Sequence, residues 1–100
     1  MAQYDQAEEN LKKSIQLKPD FAEAYLNLAV VYAKSHRLSE AVNNLKQAIY
    51  YKPDYVEAHF YLGQAYIAAG DNNGANQEYQ ILSKLDRNAA QRFQALMQQK

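Results

Sequence analysis

The sequence contains a repeat of 34 residues, which limits the folds that the chain can adopt. The tetrapeptide Lys-Pro-Asp-Phe at positions 18–21 recurs as Lys-Pro-Asp-Tyr at positions 52–55, a step of 34. A fixed period of this length is the sequence signature of a protein built from stacked copies of one supersecondary unit. Further positions repeat at the same step: Leu28 and Leu62, Tyr32 and Tyr66, Glu23-Ala24 and Glu57-Ala58, and Ala7, Ala41 and Ala75.

Each period contains two segments whose apolar residues recur three and four positions apart, which places each set on one face of a helix. The sets are Tyr25, Leu28, Ala29 and Tyr32, then Ala41, Leu45, Ala48 and Ile49. Pro19 and Pro53 should end the preceding helices. The short polar stretches at 35–37 and 70–73 should join antiparallel helices. The pattern predicts helices over about residues 4–18, 22–35, 38–51, 55–69, 72–86 and 89–99.

Paired acidic residues stand where two of these helices should begin. Asp20 with Glu23, and Asp54 with Glu57, have the spacing of an N-cap residue and an acidic N3 residue. That pairing satisfies free backbone amides in the first turn of a helix. We therefore expect Asp20 and Asp54 to be N-cap residues.

Charge and composition exclude several classes of function. The chain carries 11 basic and 11 acidic residues, so we expect no binding to nucleic acid or to an anionic membrane surface. No stretch approaches the roughly 18 consecutive apolar residues of a membrane-spanning helix, so we expect a soluble chain without membrane insertion. The absence of cysteine excludes disulfides and thiolate chemistry but leaves the compartment open.

The repeat resembles the tetratricopeptide repeat, a 34-residue helix-turn-helix with a pattern of an aromatic residue, Leu-Gly, Tyr, Ala, Phe and Pro. In residues 22–55 the matching positions are Tyr25, Leu28-Ala29, Tyr32, Ala41, Leu45 and Pro53. In residues 56–89 they are His59, Leu62-Gly63, Tyr66, Ala75 and Tyr79, with Arg87 in place of the proline. The small residues of the pattern stand where paired helices should approach most closely.

The resemblance implies an all-α fold: a right-handed superhelical α-solenoid of antiparallel helix pairs, with about two and a half repeats. Residues 1–100 would form a single domain. Within it, residues 4–21 would be the second helix of a partial repeat, 22–55 and 56–89 full repeats, and 90–100 a capping helix.

The resemblance also implies a concave groove, lined by the first helices of successive repeats, that binds a peptide or helix of a partner protein. The groove residues on this chain would be Leu26, Asn27, Val30, Lys34, Phe60, Tyr61, Gln64 and Ile67. Phe60 and Tyr61 are the most informative, because Leu62 and Tyr66 already fill the core-facing stripe; the alternative is that both aromatic residues pack as core. Glu23 and Glu57 argue against an acidic peptide tail as the ligand.

A second interpretation is self-assembly. Ala7, Leu11 and Ile15 form an apolar stripe on a helix whose usual partner helix is missing, so either the chain is part of a longer array or a second copy covers the stripe as a homodimer. An enzyme is not expected, since nothing resembles an activated nucleophile or a phosphate-binding loop. We expect no cofactor and no metal, and we interpret His59 as a hydrogen-bonded core residue.

Overall fold

The structure is a computed structural model that describes residues 2–99. Helices account for nearly all of this range, and it contains no strand, which confirms the all-α fold class. No helix within it is long and apolar enough to cross a membrane. The helices are α1 (Ala2–Leu17), α2 (Ala22–Lys34), α3 (Leu38–Tyr51), α4 (Val56–Ala68), α5 (Asn72–Leu85) and α6 (Arg87–Gln98).

The helices form two compact units, unit 1 (Met1–Pro53) and unit 2 (Asp54–Lys100). In unit 1, α2 packs against both α1 and α3, and in unit 2, α4, α5 and α6 pack on one another. The predicted stripes supply most of the buried residues of unit 1, and Ala24 and Leu26 are buried in addition to them. The buried stripe residues are Leu28, Ala29, Tyr32, Ala41, Leu45 and Ala48. Unit 2 buries a cluster of Ala75, Leu82, Ala89, Ala90 and Phe93.

A single carboxylate connects α1 to the end of α2 and the start of α3. Glu8 accepts hydrogen bonds from the Tyr32 hydroxyl (Oη–Oε2 3.1 Å) and from Arg37 (Nη1–Oε1 2.9 Å). Lys12, one turn along α1, lies 2.8 Å from Glu8 Oε2, and its hydrogen bond lowers the pKa of Glu8 from the usual value. Glu8 therefore stays ionised and holds α1 through two contacts outside its own helix.

The two repeats end their first helix with the same backbone motif. Arg37 N donates to Tyr32 O (2.7 Å) and His36 N to Ala33 O (3.2 Å), which is the Schellman pattern of a helix C-terminus. Asp71 N and Gly70 N make the equivalent bonds in unit 2. The motif requires a left-handed residue, and this is His36 (φ 63°) in unit 1 and Gly70 (φ 75°) in unit 2.

We expect His36→Gly to raise the free energy of unfolding by up to about 1 kcal/mol. Glycine adopts the left-handed conformation without the steric cost that a side chain incurs there, although it loses more entropy on folding. The matched change is Gly70→Ala, where an added Cβ would have no atom within 4 Å, so that its cost reports backbone strain alone. Urea denaturation measures both. A loss of stability in His36→Gly would contradict this account.

The expected N-caps are wrong. The N-cap residues of α2 and α4 are Phe21 and Tyr55, and neither helix start has a side-chain capping bond. The chain first makes a tight turn through Asp20, in which Phe21 N donates to Lys18 O (3.0 Å), and this turn delays the helix by one residue. Side-chain caps occur instead at Asp71 and Asp86, which begin α5 and α6.

Candidate functional site

An open pocket of about 310 Å³ lies within unit 2, between α4 and the start of α6. Helix α4 contributes residues at spacings of three and four, which places them on one face of the helix. Helix α6 and its N-cap supply the opposite wall. The lining residues are Val56, Glu57, Phe60, Tyr61 and Gln64 from α4, and Asp86, Ala89 and Arg92 from α6.

The position of the α6 wall follows from a departure from the repeat pattern at residue 87. The first two copies of the junction read Lys-Pro-Asp, whereas Arg87 stands at the proline position in the third. Without proline, α6 begins at Arg87. The preceding residue, Asp86, is both the C-cap of α5 and the N-cap of α6. This start is about two residues earlier than predicted, and the short junction places Ala89 and Arg92 beside α4.

Phe60 forms the floor of the pocket. Its ring packs edge-on against Phe93, with centroids 5.6 Å apart and planes at 71°. Phe93 is fully buried. The Arg92 guanidinium carbon also lies 5.6 Å from the Phe60 ring centroid. Phe60 is therefore half-buried and packed against α6, and the part of its ring that stays accessible lines the pocket.

Tyr61 forms the exposed aromatic wall. It is 42% exposed, and it makes no hydrogen bond or ring contact with any residue that the structure describes. An exposed tyrosine beside a half-buried phenylalanine offers the combination of aromatic area and a polar tip that is enriched at protein interfaces. Gln64, one turn further along α4 and half-buried, adds an amide that can donate and accept hydrogen bonds.

The charged groups of the pocket are two carboxylates and one guanidinium. Asp86 Oδ1 accepts from Ala89 N at 3.2 Å, which caps α6, and the residue is exposed. Glu57 is exposed in the first turn of α4. Among residues 2–99, neither carboxylate forms an ion pair with a lysine or arginine.

Three predicted groove residues, Phe60, Tyr61 and Gln64, therefore line one pocket. Ile67 lies beyond them on α4 and lines a second open pocket of about 280 Å³ with Ala75 and Met97. The groove residues predicted on α2 belong to unit 1. There Leu26 is buried, Val30 is half-buried, and Asn27 and Lys34 are exposed. The groove as a whole stays a prediction.

The pocket also contains residues that the sequence did not point to. Asp86, Ala89 and Arg92 lie on α6, which the repeat pattern identified only as a capping helix. The break in the Lys-Pro-Asp pattern at Arg87 was the available signal, because it permits a shorter junction. Glu57 was predicted as an acidic N3 residue and as a group that disfavours an acidic ligand, but not as a pocket residue.

The predicted self-association stripe lies on the partly covered side of α1. Ala7, Leu11 and Ile15 are each half-buried, since α1 packs against α2. Leu17, at the end of α1, is 88% exposed. The apolar surface that α1 presents to solvent is thus greatest at its last turn.

The histidines lie apart from the pocket. His59 is buried in unit 2, and its Nδ1 lies 2.7 Å from Glu78 Oε1, also buried. This is the hydrogen-bonded core histidine that the repeat pattern predicts. His36 occupies the turn after α2. Over the described part of the chain, no group of three or more His, Cys, Asp or Glu side chains is placed to hold a metal ion.

Comparison with known proteins identifies the repeat. A family model described as "Tetratricopeptide repeat" matches residues 33–100, and another described as "TPR repeat" matches residues 3–36. No curated protein matches the chain.

Solved structures share the fold. A crystal structure of MamA is similar with a TM-score of 0.82 at 24% sequence identity, covering 89% of this chain and 52% of that one. MamA from Desulfovibrio magneticus RS-1 has a TM-score of 0.80 at 23% identity, covering 86% and 49%. MamA MSR-1 has a TM-score of 0.77 at 23% identity, covering 87% and 50%. The chain thus spans about half the length of these structures, and at this identity the likeness concerns the fold alone.

Proposed function

Because the chain belongs to the tetratricopeptide repeat family, we propose that it is a protein-binding module whose α4–α6 pocket holds a short segment of a partner polypeptide. Binding other proteins is the general role of this family, and its members are typically not enzymes. The proposal assigns no catalytic residue.

The observation that carries the proposal is the exposure of Tyr61 beside Phe60 over an open pocket. Exposed aromatic residues next to a pocket supply most of the binding energy at many protein interfaces. The half-buried amide of Gln64 can pair with the backbone of an extended peptide or with a polar side chain of a helix. Within unit 1, the groove residues Asn27, Val30 and Lys34 of α2 stay a separate prediction.

Selection from a phage-displayed library of random peptides, followed by amide chemical-shift mapping, tests this function. We expect selected peptides to shift the amides of Phe60, Tyr61, Gln64 and Arg92, and Tyr61→Ala to weaken their binding about tenfold or more. Tyr50→Ala is the matched control, because Tyr50 is 75% exposed and does not line this pocket. Equal binding by the two variants would refute the proposal, provided both keep the helical circular-dichroism spectrum.

Self-association through α1 is the second candidate function. The strong exposure of Leu17 and the incomplete burial of Ala7, Leu11 and Ile15 favour contact with another apolar surface such as a second copy of the chain. Light scattering over a range of concentrations should then show a dimer or larger species, and Leu17→Ser should shift it toward monomer. A monomer at every concentration would rule this candidate out.

A further inference from the structure

The α4–α6 pocket has an excess of negative charge at its rim. Glu57 and Asp86 are both exposed there, and the second oxygen of Asp86 accepts no hydrogen bond from a described residue. Arg92 is the one cation among the lining residues. Two carboxylates against one guanidinium leave the rim with a local charge of about −1, which favours a positively charged ligand.

Arg92 pairs with neither carboxylate of the pocket. Its guanidinium lies against the face of Phe60, 5.6 Å from the ring centroid, and forms no ion pair within residues 2–99. The attraction between Arg92 and the aromatic ring holds the cation beside Phe60. Glu57 and Asp86 therefore remain available to a charge brought by a partner.

The apolar lining suits the rest of a basic side chain. Lysine and arginine have aliphatic stems that pack on apolar and aromatic surfaces while the charged end stays in a polar environment. Val56 and Phe60 offer such a surface, and the exposed ring of Tyr61 can also contact a cation through its face.

We propose that the α4–α6 pocket accepts a lysine or arginine side chain of the partner, flanked by apolar residues, with its stem on Phe60 and Tyr61 and its charge near Glu57 and Asp86. This inference rests on the proposed function and specifies the chemistry of its ligand.

Titration with three end-blocked peptides tests the inference. The peptides are Ala-Leu-Lys-Leu-Ala and its versions with glutamine or glutamate in place of lysine, and the readout is the set of pocket amide shifts at low salt. We expect the lysine peptide to bind about two- to fivefold more tightly than the glutamine peptide, as an exposed ion pair allows. The glutamate peptide should bind most weakly. Added salt should remove the advantage of lysine.

Charge-neutralising variants locate the effect. Glu57→Gln should remove most of the preference for lysine, whereas Arg92→Gln should strengthen binding of the lysine peptide about two- to fivefold because it removes a like charge. Asp5→Asn is the matched control: Asp5 is exposed in the first turn of α1 and does not line the pocket. It should leave all three affinities unchanged.

The outcomes separate the inference from the function on which it rests. Tighter binding of the glutamate peptide, weakened by Arg92→Gln, would overturn the inference and leave the pocket as a binding site for an anionic segment. Equal binding of all three peptides would overturn the charge preference alone. No shift of the pocket amides by any peptide would count against both the inference and the proposed function.

Discussion

Glu78→Ala is expected to lower the free energy of unfolding by about 2–5 kcal/mol, the range for removing one member of a buried polar pair. Glu78 and His59 lie on adjacent helices of unit 2 and are 6% and 4% exposed, with Nδ1 and Oε1 2.7 Å apart. Truncation of Glu78 removes a hydrogen bond that the buried His59 imidazole makes. It also removes apolar contacts of the Glu78 stem with its surroundings.

Urea denaturation of Glu78→Ala and of Gln77→Ala measures the effect. Gln77 precedes Glu78 on α5 and is exposed, so its truncation should change stability by no more than about 0.5 kcal/mol. Equal losses in the two variants would show that the buried hydrogen bond contributes nothing.

A double replacement distinguishes the contribution of the hydrogen bond between His59 and Glu78 from that of the volume their side chains fill. Tyr25 and Phe93 stand 34 residues before and after His59, so the same repeat position holds a larger aromatic ring in both neighbouring copies. His59→Phe combined with Glu78→Met should therefore recover stability to within about 1 kcal/mol of the original, because it replaces both polar partners with apolar groups of similar size. A combined loss larger than that of Glu78→Ala would mean that the site cannot accommodate the ring.

The helical pattern was predictable because it depends on short-range spacing. Apolar residues three and four apart define each helix face, and the buried residues Leu28, Leu45 and Leu62 lie where that spacing places them. Helix ends were less accurate, since they depend on which of several adjacent residues makes the first backbone bond. The turn through Asp20 and the early start of α6 are both of this kind.

The candidate site was predictable only on its α4 side. Phe60 and Tyr61 stand out because they are aromatic residues left over once the core stripe is assigned. The wall from α6 depends on the length of one junction, and a short junction at Asp86 has no repeat counterpart in the sequence. Likewise, the pattern predicts a satisfied His59 but not its partner Glu78, which is 19 residues away on another helix.

Gly63→Ala is expected to lower the free energy of unfolding by about 1–3 kcal/mol, the typical cost of overpacking a core. A Cβ at this position would clash with Cζ and Cε1 of Phe93 and would lie 3.3 Å from Glu78 Cβ. Phe93 is fully buried and packs edge-on against Phe60, so its ring has little room to move. The small residue here thus accommodates α6 as well as the paired helix α5. The repeat equivalent in unit 1 is Ala29, which is buried with its methyl group in place.

The sign of this effect should depend on the ring of Phe93. Alanine is a better helix former than glycine by about 1 kcal/mol, so Gly63→Ala should be stabilising wherever the clash is absent. Leucine lacks the Cε1 and Cζ atoms of phenylalanine, and we therefore expect Gly63→Ala to be neutral or to stabilise the protein by up to about 1 kcal/mol in a Phe93→Leu background. Denaturation curves of the two single variants and the double variant give the coupling between the residues. Additive losses would show that the Phe93 ring is not what excludes a side chain at Gly63.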